Sequence, residues 1–101
     1  MENLLVKFVQ RRRRTVGVVI ARTFPELKHV YISGSLCHTS KDTFNKKTAI
    51  ALAEARATAM AFSARACELP YTLKDEIEYM KDRATRYFKG MDVVVPLIKN
   101  I

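Results

Sequence analysis

Alanine occupies every second position from Ala49 to Ala61, in a stretch without glycine or proline. A period of two mimics a strand. Alanine's helix propensity and the lack of turn signals favour a helix instead, over roughly 43–68. Small residues around much of a helix let other backbones approach closely, which places this one centrally or at a subunit contact. Leu52, Ala55, Ala59, Phe62 and Ala66 follow i+3/i+4 spacing and read as its inner face, with Glu54 and Arg65 outside.

Three shorter runs precede the helix. Leu4–Val9 reads as a strand with Leu4, Val6 and Phe8 on one face, and Thr15–Arg22 as a second, rich in β-branched residues. Gln10–Arg14 is then a hairpin loop or its flanks, and Pro25 marks a turn over Phe24–Lys28. His29–Leu36 alternates: Val30, Ile32 and Leu36 point one way, His29, Tyr31, Ser33 and Ser35 the other. That is the pattern of an antiparallel sheet covered on one side, its polar face left wet or used for binding.

Downstream, Pro70 ends the long helix and Thr72 caps a second one over about 73–89, with Asp75 and Glu76 in its first turn and Gly90 as its stop. Leu73, Ile77, Met80, Ala84 and Tyr87 or Phe88 face inward there, and Asp82 and Arg86 are ordered as an i,i+4 pair. Asp92–Ile98 is a last strand that Pro96 assigns to an edge. The expected fold is α+β, one domain over residues 1–101: a three- to four-stranded antiparallel sheet packed against two α-helices in the order β-β-β-α-α-β. So short a chain builds a modest core, so a homodimer or higher oligomer is expected to add stability.

Charge is unevenly placed. Residues 1–47 carry ten Lys and Arg against three acids, whereas residues 48–101 carry eight against seven. An excess confined to one half implies one electropositive face and an anionic partner. Four consecutive arginines, Arg11, Arg12, Arg13 and Arg14, lie within it. Guanidinium forks match phosphate oxygens bidentately; the bland alternative is a solvated loop tip. The strand-to-helix junction adds Ser40, Lys41, Phe44, Asn45, Lys46 and Lys47. Hydroxyls, free helix N–H groups and lysines converge there as at an anion site. Lys46 and Lys47 oppose the helix dipole at about 0.3–1 kcal/mol each, a penalty that a bound anion reverses. Asp42 is a good N-cap and would neutralise part of this site, so an ordinary capped helix is the competing reading. Arg56, flanked by alanines, can reach into a shallow pocket, across an interface, or simply cover a helix edge.

Catalysis finds little support. His29 and His38 are the only imidazoles, Cys37 and His38 are adjacent rather than spaced to pair, and no metal-ligand set stands out. The reading is a non-enzymatic protein with no catalytic residue, metal or cofactor. Tyr31 and Phe8 offer aromatic faces on which bases could stack. Cys37 and Cys67 allow one disulfide, but read rather as reduced thiols of a cytoplasmic protein. An acid, a short apolar run and then arginines is the wrong order for a signal peptide, and no window approaches the ~18 apolar residues of a membrane span.

Ser35-x-Cys37, Asp42-x-Phe44-Asn45-Lys46-Lys47 and Ala53-x-x-Arg56-Ala57 together resemble a pattern of small bacteriophage proteins, the anti-defence sponges that counter Thoeris immunity. The resemblance covers roughly a quarter of the chain. It implies an at least dimeric α+β protein, in the host cytoplasm, that sequesters a cyclic nucleotide or ADP-ribose derivative without turnover. Charge alone supports a DNA- or RNA-binding module almost equally. An inhibitor docking on an acidic host protein is the third alternative.

Overall fold

The computed structural model describes residues 3–37 and 44–99. Strands β1 (Leu4–Arg11), β2 (Arg14–Thr23) and β3 (His29–Leu36) form an antiparallel meander. Helix α1 (Lys46–Ser63) follows, then β4 (Glu68–Pro70), a 3-10 turn at Tyr71–Leu73, helix α2 (Lys74–Tyr87), β5 (Asp92–Val94) and β6 (Leu97–Lys99). The main sheet has the order β1-β2-β3-β5, with β5 parallel to β3, and β4 pairs with β6 as a separate parallel ribbon. The expected α+β fold, an antiparallel-rich sheet with two helices, is what the chain adopts.

The sheet is covered on both faces, not one. Along β2, Val19 and Ala21 join Ile77, Met80 and Ala84 of α2, while Val18 and Ile20 join Ala49, Ala53 and Ala57 of α1. Hence Val16–Ala21 is an unbroken buried run, the mark of a strand enclosed from both sides. The polar face expected on β3 is dry: Ser33 and Ser35 lie buried beneath α1. Their hydroxyls donate to the carbonyls of Ala53 (2.6 Å) and Ala49 (3.1 Å). A buried hydroxyl left without a partner costs about 1–3 kcal/mol, so these bonds fix the height of the helix above the sheet.

That close seating reverses the expected faces of α1. Ala49, Ala53 and Ala57 point inward, because only a methyl fits between the serine row and the helix axis; Leu52 and Phe62 point out, 44% and 52% exposed. Alternating alanines supply a helical stripe on either side, so the spacing could not choose between them. Asn45 rather than Asp42 is the N-cap, its side chain accepting from the Thr48 N–H at 2.9 Å, and the helix ends at a left-handed Ala64 well before Pro70. The second helix starts without a side-chain cap at Thr72, since the 3-10 turn leads into it directly. The last strand is two: Val95 and Pro96 interrupt it, sending β5 to the main sheet and β6 to β4. Neither β4 nor its ribbon is legible from three-residue segments bordering prolines.

Candidate phosphate-binding end of the sheet

β1 and β2 run on further than expected and leave only Arg12 and Arg13 as the turn, with Arg11 paired to Arg14. Both turn residues have positive φ, 51° and 65°. Two-residue hairpin turns require this geometry, because it matches the twist of the strands, and they normally fill it with Asn and Gly. Beyond the bond from the Cys37 N–H to the Val16 carbonyl (2.7 Å), Thr15 and Arg14 pair, among the described residues, only with β1. Among the described residues the tip therefore extends two ladder positions, roughly 7 Å, past the last bond to β3.

Both helices begin at this end. α1 runs against β3, with Ala49 over Ser35 and Ala53 over Ser33. α2 runs against β1: Arg11 bonds Glu76 in its first turn, and the Lys7 ammonium lies 5.0 Å from the Tyr79 ring centre one turn later. Arg11, Arg12, Arg13, Arg14, Lys46, Lys47 and Lys74 thus gather at one pole, against Asp75 and Glu76 among the described residues. Two helix N-termini add their partial positive charge.

The arginine run is divided in its duties. Arg11 holds Glu76 with both guanidinium arms (2.9 and 3.0 Å) and donates to the Thr72 carbonyl at 2.6 Å. These bonds raise the Arg11 pKa and hold the Glu76 carboxyl below its usual range, in each case chiefly through the side-chain hydrogen bond and against the cost of burial. Arg12, Arg13 and Arg14 are exposed and have no carboxylate partner among the described residues. Lys46 sits 4.9 Å from the Phe8 ring centre, Phe8 meets Phe44 edge to face at 6.4 Å, and Lys47 is exposed. Phe44 is thereby engaged in packing. Ser40 and Lys41 lie outside the described residues, as does Asp42.

Arg56 does not belong to this pole. Its guanidinium donates to the Gly34 carbonyl at 2.7 Å, midway along α1, so it ties the helix to the open side of β3. Cys67, buried nearby, has its thiol pushed up in pKa by burial, partly offset by Arg56 and by the Gly34 backbone. Neither Cys67 nor the half-buried Cys37 is in a disulfide.

Two residues that sequence reasoning missed flank the pole. Tyr71 and Lys74, with Arg11, Thr72 and Asp75, line an open cavity of about 340 Å³, and the Lys74 ammonium lies 5.6 Å from the Tyr71 ring centre. The contacts that bring them to Arg11 span more than sixty residues of chain, which no local pattern signals. A second cavity, about 280 Å³ and largely apolar, lies between the end of α1 and β5–β6, remote from the pole. Among the described residues no three His, Cys, Asp or Glu side chains converge as a metal site, and no helix is long and apolar enough to cross a membrane. Comparison with protein-family models, curated proteins and solved structures gives no match.

Proposed function

We propose that the chain is a non-enzymatic, cytoplasmic binding protein whose electropositive pole holds a phosphate backbone, and that its ligand is DNA or RNA. The observation that carries this reading is the projecting tip: Arg12, Arg13 and Arg14 stand exposed on a two-stranded ribbon, flanked by Lys46, Lys47 and Lys74. A convex, multivalent array of guanidinium and ammonium groups suits an extended polyanion, which it can contact at several phosphates at once. The occupied Arg11 supports the array from behind by fixing the hairpin to α2.

Sequestration of a nucleotide is the second reading, favoured by the cavity beside Arg11. Its size suits one nucleotide, and Tyr71 offers a face for a base while Lys74 offers a cation to a phosphate. The two readings separate by salt. Binding of a fluorescent duplex oligonucleotide, followed by anisotropy, should weaken with a log–log slope of about −5 if all six cations each neutralise a phosphate. Replacing Arg12 and Arg13 by alanine should reduce that slope by about two. A slope near zero, with tight binding of a cyclic nucleotide or ADP-ribose derivative, would overturn the nucleic-acid reading in favour of sequestration.

A further inference from the structure

α1 turns its mid-helix charges away from water. Between Thr48 and Ser63 its only charged residues are Glu54 and Arg56, and both turn in towards the body: Glu54 to Arg22 (2.6 Å), Arg56 to the Gly34 carbonyl (2.7 Å). The inner face buries the methyl groups of Ala49, Ala53 and Ala57, with Ile50 and Met60 partly buried beside them, while Leu52 is 44% exposed and Phe62, its ring edge to face with Phe24 at 5.1 Å, is 52% exposed. A helix lying on a sheet normally turns its charges to water and its bulk to the core. Here the outer face is apolar or hydroxylic along the helix, on a chain of net charge +8.

The layout of that face is palindromic. Leu52-x-x-Ala55-x-x-x-Ala59-x-x-Phe62 reads large, small, small, large, with the same spacing from either end. In an isologous contact residue i meets j and j meets i, so antiparallel packing about position 57 sets Ala55 against Ala59 and Leu52 against Phe62, pairing small with small and large with large. We infer that the outer face of α1 is the contact between two copies of this chain, packed as antiparallel helices. Ala55 meets the partner's Ala59 at the centre, where small residues let the backbones approach, and Leu52 meets the partner's Phe62 on either side.

Charge favours the same arrangement. Each α1 starts at the electropositive pole, with Lys46 and Lys47 in its first turn and no acid there. Parallel pairing sets two such poles side by side; antiparallel pairing sets them at opposite ends and aligns the helix dipoles favourably. An 18-residue helix is about 27 Å long. Its outer strip, about 10 Å wide, covers roughly 270 Å² per copy, against the ~800 Å² of a standard interface. The contact is therefore the centre of a weak, concentration-dependent dimer.

Sedimentation equilibrium from micromolar to about millimolar protein tests this. The wild-type chain should pass from monomer to dimer, and Ala55→Glu, which places carboxylates in the apolar centre, should weaken association by about a hundredfold or more. Position 55 is exposed in the single chain, so this variant keeps its fold, and circular dichroism checks that it does. Ala59→Lys added to Ala55→Glu sets opposite charges across the antiparallel contact and should restore the dimer. A wild-type chain monomeric throughout, or a dimer indifferent to Ala55→Glu, overturns the inference. Loss on Ala55→Glu without recovery in the double variant overturns the antiparallel register. A heavier complex formed only with another protein assigns the face to that partner and overturns the two-fold.

Discussion

Arg12 and Arg13 occupy backbone conformations that L-residues avoid, at about 1–2 kcal/mol each. Asparagine and glycine would relieve most of that strain, so a test at these two positions separates the needs of the fold from those of the proposed ligand. The double substitution Arg12→Asn/Arg13→Gly should stabilise the fold by about 1–2 kcal/mol. That corresponds to a rise in melting temperature of roughly 5–10 °C. Oligonucleotide affinity should fall at the same time. Calorimetric melting and anisotropy on the same variant check both; a lower melting temperature would show that the arginines serve the fold. The run itself is legible in the sequence, but its division is not. Arg11 looks like its three neighbours until Glu76 arrives from the far side of the chain.

At the level of elements, local signals carry the type of the longer segments better than their ends, since α1 is capped by Asn45 rather than Asp42 and stops at Ala64. The apolar alternation of β1, the β-branched run of β2 and the alternation of β3 name the meander, and the acids after Thr72 announce α2. The side of each element that faces inward depends on what packs against it. Ser33 and Ser35 read as solvent-facing because serine is polar, yet helix carbonyls satisfy them. Arg11 and Glu76 form the corresponding clamp on the other face of the sheet, between the hairpin and α2. Because the Glu76 carboxyl is depressed in the native state, its contribution is complete above the ordinary carboxylate range and is lost as pH falls through the depressed value. Glu76→Gln should therefore lower the unfolding free energy by about 1 kcal/mol near neutral pH, the pair being half open to solvent on the Arg11 side. The difference from wild type should shrink as pH falls through the depressed value and the carboxyl takes up its proton. Urea titrations at neutral and acid pH measure it, and a difference independent of pH would assign the effect to packing.

For the whole molecule, the asymmetry seen in the linear charge count becomes a pole because the hairpin tip and both helix starts meet at one end. Concentrated like charge destabilises the folded state, and an anion that binds it does the opposite. Sulfate, a compact divalent anion of tetrahedral shape like phosphate, is the simplest probe. At ten times its dissociation constant a site-bound ion adds about 1.4 kcal/mol, several degrees of melting temperature at this size. Sulfate also stabilises proteins without a site, through exclusion from their surface, and sodium chloride at equal ionic strength reports screening alone. A variant with Arg12, Arg13 and Lys47 all replaced by alanine separates these contributions. It keeps the general effect of sulfate, loses three of the cations of the pole, and starts from a higher melting temperature in low salt because part of the self-repulsion is removed. The wild-type chain should thus gain more from sulfate than the variant does, with the excess saturating as sulfate rises. Equal, unsaturating gains in both chains would mean that the pole repels but does not bind.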